Sequence, residues 1–208
     1  MRGPLERLFP NLSRGQRTAI DWIVTLILAV AIVLGLKAWV VNPYRIPSSS
    51  MEPTLHCARP EVGCEASSSD RILANRFIYH FRKPKRGEIV VFNPPRRASF
   101  VCPGGGGVYV KRIIGVPGDR WEERKGFVYV DGRRLDEPYI TAARRDERSV
   151  TLTQLRPGIA TIPDDEYIMM GDNRKQSCDS RDWGLVPRKS IVGEVFLTYW
   201  PLGRLATH

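Results

Sequence analysis

The stretch Phe127 to Leu135 reads FVYVDGRRL and is the clearest hairpin signal in the chain. Asp131 and Gly132 supply a two-residue turn, because both residues can adopt the positive φ angles that such a turn needs. A turn this short joins neighbouring antiparallel strands. The stretch therefore predicts an antiparallel β domain.

Similar strand signals lie on both sides of this hairpin. Runs rich in β-branched and aromatic residues are bounded by Gly, Pro and Asp turns, which is the pattern of short strands. These runs are Glu88 to Phe92, Val108 to Gly115, Glu166 to Gly171 and Ile191 to Trp200. No long amphipathic helical pattern competes with them, so the fold class is mainly β.

An apolar run, WIVTLILAVAIVLGLKAWVV, precedes the β region and spans Trp22 to Val41. Its length suits a bilayer core of about 30 Å, and its single charge, Lys37, stands near its end. Trp22, Trp39 and Tyr44 lie near its edges, as aromatic anchors do. The run predicts a single transmembrane helix, since no polar face recurs at the spacing of a buried soluble helix.

A cleaved secretory signal is the closest alternative to this anchor. The apolar part is longer than the usual signal core of roughly 7 to 15 residues, and no small-x-small cleavage site follows it. Arginines precede the run at Arg2, Arg7, Arg14 and Arg17, which keeps the N-terminus in the cytoplasm. The prediction is a single-pass protein of the cytoplasmic membrane with residues 1–18 as a cytoplasmic tail, 19–41 as the helix and 42–208 on the outer face.

The chain has 208 residues and a formal net charge of +10. The basic residues are scattered through predicted strands and turns, without a zinc-finger or recognition-helix pattern, so we expect no nucleic-acid partner. Anionic membrane lipid is the expected partner of this charge.

The four cysteines would lie on the outer, oxidising side, where disulfides are permitted. Pairing of Cys57 with Cys64 and of Cys102 with Cys178 is expected, because the first pair closes a short polar loop. A zinc site is less suited, since paired C-x-x-C spacing is absent, and free thiols remain open.

Two stretches are predicted surface insertions. Cys57 to Asp70 is polar and rich in serine, and Pro103 to Gly107 is a flexible glycine turn. The glycines do not form a phosphate-binding loop, because no G-K-S/T and no helix follow them.

Three adjacent serines occur in IPSSSMEPTL, Ile46 to Leu55. A polar turn is the simple interpretation, and a nucleophilic serine would need a base. The three histidines, His56, His80 and His208, lie in polar or terminal surroundings, so a Ser/His/Asp triad is a poor prediction.

Lysine is the alternative base, and Lys111 differs from the other lysines because it lies inside a predicted strand. Strand alternation puts it on the face of Tyr109 and Ile113, where burial would lower the pKa of its amine. A lysine pointing into water from a half-exposed strand is the other interpretation. A third stretch, GDNRKQSCDSRDWGLVP from Gly171 to Pro187, crowds polar side chains after a strand and could hold a charged partner.

Four stretches resemble, in their order along the chain, the motif boxes of the type I signal peptidases. They are IPSSSMEPTL, RGEIVVF, YVKRIIGVPGD and GDNRKQSCDSRDWGLVP. These are membrane-bound serine proteases that remove signal peptides from exported proteins. The resemblance covers roughly residues 42 to 201. It implies an antiparallel β catalytic domain after the anchor, with a compact second β subdomain at 119–171.

The resemblance also implies a Ser/Lys dyad. The family's nucleophile matches Ser50, and its general base matches Lys111. Ser48 matches an oxyanion-hole hydroxyl that acts beside the backbone N–H of Ser50, whereas Ser49 matches a spacer.

Other family positions fall in the last box and near the substrate. Ser177 matches the serine that orients the lysine, and Asp179 with Arg181 matches a pair that braces the site. Ile46 and Tyr109 match positions near the substrate pockets. Cys178 and the two insertions depart from the family pattern and leave the redox state and the rim open.

The implied substrates are preproteins with small residues, typically alanine, at the first and third positions before the cut. No metal or organic cofactor is expected. Two alternatives to this function stay open. One is a related Ser/Lys peptidase of the conjugative-transfer or self-cleaving repressor type, and the other is a membrane-tethered β binding module with a degenerate site.

Overall fold

The computed structural model describes residues 13–39, 41–102 and 107–208, with the backbone alone at 36–39. It divides into two compact units, Met1–Val41 and Asn42–His208. Some residues named in the predictions lie outside this description. They are Arg2, Arg7, the side chains of Lys37 and Trp39, and most of the Pro103 to Gly107 turn.

Within the described residues of the first unit there is one long helix, α1, Arg14–Trp39. Its stretch Arg14–Gly35 is long and apolar enough to cross a membrane, with a mean hydropathy of 2.3. Its apolar side chains are exposed, including Trp22. The helix includes Arg14 and Arg17, so it begins before the predicted boundary at residue 19.

The second unit is mainly β, as predicted. Its larger sheet has eight strands in the order β1-β2-β11-β3-β4-β9-β10, with β12 paired to β11. These strands are β1 Val41–Arg45, β2 Arg71–Asn75, β3 Ile89–Phe92, β4 Tyr109–Gly115, β9 Glu166–Met170, β10 Val186–Pro187, β11 Ile191–Trp200 and β12 Ala206–Thr207. The predicted strands at β3, β4, β9 and β11 are confirmed to within one residue at each end.

The smaller sheet has the order β7-β6-β5-β8. Its strands are β5 Trp121–Arg124, β6 Phe127–Val130, β7 Arg133–Arg134 and β8 Val150–Thr151. The predicted hairpin is confirmed, since Asp131 and Gly132 have φ angles of 51° and 77° between β6 and β7. Strand β9, which the predicted 119–171 range includes, pairs with β4 in the larger sheet.

Helices in the second unit are short. The described α-helices are α2 Ala98–Val101, α3 Leu152–Leu155 and α4 Ser180–Trp183. The described 3-10 turns are Ser49–Met51, Ile78–His80, Ala142–Arg144, Arg174–Gln176, Arg188–Ser190 and Leu202–Arg204.

Strand β3 lies inside the larger sheet and is buried on both faces, which explains its continuous apolar sequence IVVF. Val90 and Phe92 join one core cluster, whereas Ile89 and Val91 join another. A third cluster lies between the sheets, where Ile114 of β4 and Ile168 and Met170 of β9 pack with Trp121 and Val128 of the smaller sheet. The smaller sheet is therefore packed against β4 and β9.

Two disulfides close the loops around this frame. Cys57 pairs with Cys64, and Cys102 pairs with Cys178. The predicted pairing is confirmed, and the zinc and free-thiol alternatives are wrong.

Candidate active site

The three serines lie where β1 ends and a 3-10 turn, Ser49–Met51, begins. The backbone carbonyls of this turn are held from across the fold. Asn173 donates from its backbone N–H to Ser50 O and from its side chain to Ser49 O, each at 3.1 Å. Ser50 is 8% exposed. The turn is therefore fixed by tertiary contacts.

Lys111 meets Ser50 at the centre of the site. Its amine Nζ donates a hydrogen bond of 2.5 Å to Ser50 Oγ, although the two residues are 61 positions apart. The lysine is 4% exposed, and its burial lowers its pKa to about 8 in spite of the nearby charges of Asp179 and Asp172. The solvated-lysine interpretation is therefore wrong, and a substantial fraction of the amine is neutral near pH 8.

Ser48 and Ser49 point to different surroundings. Ser48 Oγ lies 3.3 Å from Ser50 Oγ and faces the same groove. Ser49 is buried and does not line the groove. Of the three serines, Ser48 and Ser50 can act together on one bound group.

An open groove of about 420 Å³ passes over these side chains. Ile46 and Tyr109, the predicted substrate-pocket residues, line it together with Ser48, Ser50 and Lys111. The Cys102 and Cys178 disulfide forms another part of its wall, and none of the three histidines lines it. The Ser50 hydroxyl therefore lies in the wall of an open groove.

The site loop, residues 171–183, follows β9 and lies beside Lys111. The β4–β9 register sets Arg112, the residue after Lys111, opposite Met170, the last residue of β9. The site loop therefore begins beside Lys111. Two predicted residues of the loop form a pair: Arg181 donates from Nε and Nη2 to the two oxygens of Asp179, each at 2.8 Å. Burial alone would raise the pKa of Asp179, but Arg181 lowers it to about 2. Asp179 therefore stays ionised.

Ser177 is also brought to the site, but without the expected contact. Its hydroxyl is buried and makes no hydrogen bond of standard geometry to any described residue, Lys111 included. It does lie close enough to Asp179 to favour the ionised form and lower that pKa. Its role in orienting the lysine stays a prediction.

Sequence reasoning missed a second brace beside the dyad. Asp172 is fully buried and accepts hydrogen bonds from Arg112 Nε at 2.9 Å and Nη2 at 2.6 Å. Thr54 Oγ1 donates to the same carboxylate at 2.5 Å. All three residues stand inside the quoted motifs, so the signal was present, but their pairing depends on the fold.

Among the described residues, no group of three or more His, Cys, Asp or Glu side chains could hold a metal ion. The Ser50 hydroxyl and the Lys111 amine are the groups that meet in the groove.

Comparison with known proteins identifies the family. The family model described as signal peptidase, peptidase S26, matches residues 19–200. A probable signal peptidase I-2 from Synechocystis sp. is 39% identical over 190 residues, or 91% of this chain and 77% of the relative. Signal peptidase I P from Bacillus subtilis subsp. natto is 33% identical over 200 residues, or 95% of this chain and 98% of the relative. A crystal structure of a signal peptidase I from Enterococcus faecalis, 32% identical, aligns with a TM-score of 0.45 and covers 54% of this chain and 97% of that chain.

The family match and the serine in the groove define a serine peptidase, and hence a hydrolase. The chain belongs to the signal peptidase I family, and its function is the cleavage of signal peptides from preproteins.

Proposed function

We propose that the chain cleaves preproteins with a Ser50/Lys111 dyad. Neutral Lys111 accepts the proton of the Ser50 hydroxyl while Ser50 Oγ bonds to the carbonyl carbon of the scissile peptide. The oxyanion accepts hydrogen bonds from the Ser50 backbone N–H and the Ser48 hydroxyl. Lys111 then gives its proton to the leaving amine as the C–N bond breaks. A water molecule deprotonated by Lys111 attacks the acyl group, the ester bond breaks and Ser50 regains its proton.

The contact between Lys111 Nζ and Ser50 Oγ carries this proposal. It is a direct hydrogen bond of 2.5 Å in a buried setting, and burial lowers the pKa of the amine enough for it to act as a base. Ser48 Oγ, 3.3 Å from Ser50 Oγ, supports the oxyanion role. Asp179 and Arg181 brace the loop beside Lys111, and Ser177 orients the Lys111 side chain. The steps need no metal or organic cofactor.

The substrate is a signal peptide with small residues, typically alanine, at the first and third positions before the cut. The groove lined by Ile46 and Tyr109 would take this segment, and side chains larger than its pockets would clash with their walls.

The catalytic unit, residues 42–208, works on the outer face of the cytoplasmic membrane, with residues 1–18 in the cytoplasm and 19–41 across the bilayer. The exposed apolar side chains of α1 support the span, and Arg14 and Arg17 at its start support this orientation. The net charge of +10 favours contact with anionic lipid.

The first test compares three serine variants on a preprotein with an Ala-x-Ala site, using the full chain in detergent. Ser50→Ala should lower kcat/KM by at least about a thousandfold, because the nucleophile is lost. Ser48→Ala should lower it by about a hundredfold, the loss expected for one oxyanion donor. Ser49→Ala is the matched control and should cleave almost normally, since Ser49 does not line the groove.

Two results would contradict the proposal. Cleavage by Ser50→Ala at the wild-type rate would exclude the dyad. An inert wild type would point to another substrate class or to a tether without activity.

A further inference from the structure

Carboxylates of the smaller sheet, and of the segment between its strands β7 and β8, face two arginines of the site loop. Arg174 Nη2 pairs with Glu137 Oε1, and Arg181 Nη1 pairs with Asp146 Oδ2 at 2.6 Å. Both guanidinium groups are fully buried. The segment between β7 and β8 therefore supplies countercharge to the site loop.

The same arginines also hold the loop backbone. Arg174 donates from Nε to Gly171 O at 3.2 Å, and Arg181 donates from Nη2 to Arg174 O at 3.0 Å. Asp179, the other partner of Arg181, accepts a hydrogen bond from Gly171 N–H at 3.1 Å. A shift of either guanidinium group would thus move Gly171, which lies beside Ser50.

Glu123 of β5 lies between the two arginines. Its Oε1 atom is 3.4 Å from Arg181 Nη1 and 3.7 Å from Arg174 Nη1. Its other oxygen, Oε2, is buried without a hydrogen-bond partner among the described residues, and so is Arg174 Nη1. A buried carboxylate that is satisfied on one side only is costly to keep ionised.

The charges around Glu123 act in both directions on its ionisation. Burial raises the pKa of its carboxyl group to about 7. Arg181 and Arg174 lower this pKa, whereas Asp146 and Asp179 raise it. Glu123 therefore changes its charge at a pH at which the dyad also titrates.

We propose that Glu123 is a positioning residue for the Ser50/Lys111 pair, and that its ionised carboxylate holds Arg181 and Arg174 so that the site loop keeps Asp179 and Gly171 in place. This inference rests on the proposed function. Glu123 touches no reacting atom and acts through Arg181, whose partner Asp179 contributes charge at Lys111.

Stability separates this role from an ordinary structural ion pair. The folded-state pKa of Glu123 is above its ordinary value of 4.5, so the folded chain binds this proton more tightly than the unfolded chain. The protonated carboxyl group of Glu123 therefore contributes to the free energy of unfolding in full below pH 4.5, and this contribution is lost as the pH rises through about 7. A neutral glutamine avoids this loss. Glu123→Gln should therefore not lower the Tm at pH 8, whereas removal of a merely structural pair should.

The experiment measures kcat and KM for preprotein cleavage from pH 6 to pH 9, with full-length wild type, Glu123→Gln and Glu122→Gln. Glu122 is the matched control, because it neighbours Glu123 on β5, is partly exposed and pairs with the exposed Arg124. At pH 9, Glu123→Gln should lower kcat by between about tenfold and a hundredfold, with KM unchanged, because loop geometry and not binding is altered. At pH 6 the two enzymes should converge, since Glu123 is then protonated in the wild type. Glu122→Gln should match the wild type at every pH.

Three results would overturn the inference. They are a Glu123→Gln profile equal to the wild type throughout, a parallel fall in activity and Tm at every pH, and an equal loss in Glu122→Gln. Failure of the proposed function is recognised separately, because Lys111→Met would then cleave as well as the wild type, or the wild type would not cleave at all.

Discussion

At the residue scale, the chemistry depends on what burial does to Lys111. A lysine amine in water is protonated at neutral pH and cannot accept a proton. In this fold the amine is 4% exposed, and the loss of hydration outweighs the attraction of Asp179 and Asp172. The same side chain on an exposed strand would be a charged surface group. The environment of Lys111, more than its identity, makes it suitable as a base.

The pH dependence of cleavage follows from this environment. The pKa of Lys111 is lowered from 10.5 to about 8, and only the neutral amine accepts the Ser50 proton. We therefore expect kcat/KM to rise with pH up to about 8 and then level off. A pH profile of the wild type checks this, and a maximum below pH 6 would contradict it.

Replacing the amine separates activity from stability. Lys111→Met keeps a side chain of similar length but removes the base, so kcat/KM should fall by at least about a thousandfold. The variant also removes a buried group that must be charged below pH 8, so its Tm at pH 7 should be no lower than that of the wild type. Lys175→Met changes an exposed lysine of the same site loop and should cleave normally.

At the element scale, the site loop owes its shape to charge pairs and to a close approach at Gly171. Asp179 is the N-cap residue of α4, and its side chain accepts a hydrogen bond from Arg181 N–H, whereas the Asp182 side chain accepts one from Asp179 N–H at 3.0 Å. These reciprocal contacts satisfy backbone donors that the first turn of a helix leaves free. The loop is thus held at its helical end by a cap and at its strand end by Gly171.

Gly171 has no room for a side chain. A Cβ there would lie 2.4 Å from Ser50 O and 2.3 Å from Ser177 Oγ. Gly171→Ala should therefore displace the Ser49–Met51 turn, which carries Ser50, and lower kcat/KM by at least about a hundredfold. The free energy of unfolding should fall by about 1 to 3 kcal/mol. Cleavage kinetics and thermal unfolding measure both. Gly203→Ala is the control, since no atom approaches its Cβ position, and equal behaviour of the two variants would disprove the steric explanation.

At the scale of the whole molecule, distant parts of the chain are joined by a shared core and by disulfides. The cluster between the two sheets packs the smaller sheet against β4 and β9. Strand β4 carries Lys111, and β9 leads into the site loop. The Cys102–Cys178 disulfide ties the end of α2 to the same loop across a separation of 76 residues. The Cys57–Cys64 disulfide spans a separation of only 7.

The two disulfides should differ in their effect on stability. In the chain-entropy description, a cross-link stabilises by restricting the unfolded chain, and the effect grows with loop length. We expect the double variant Cys102→Ala/Cys178→Ala to lose about 4 kcal/mol and Cys57→Ala/Cys64→Ala to lose about 2 kcal/mol. Unfolding of both variants in detergent under oxidising conditions measures the difference. A larger loss for the shorter loop would contradict this explanation.

The sequence alone determined the local features of this protein. Strand runs, the Asp131–Gly132 turn and the apolar helix are set by side-chain pattern and backbone sterics over a few residues, so the sequence predicted all three. The bounds of these strands were accurate to one residue, whereas the helix begins five residues before its predicted start. Strands with weaker patterns, such as the short and partly exposed β2, were missed because their pairing with β11 is what makes them strands. The family resemblance named Ser50 and Lys111, which the fold brings into contact, but it could not supply the distance between them.

Only the tertiary structure decided how these residues meet. The β4–β9 register, the burial of Lys111 and its contact with Ser50 depend on pairings between distant segments. The position of Glu123 between two arginines, and the missing hydrogen bond of Ser177, have the same origin. Sequence patterns record which face of a strand is apolar, whereas contact distances and the pKa of a buried group depend on everything packed around it.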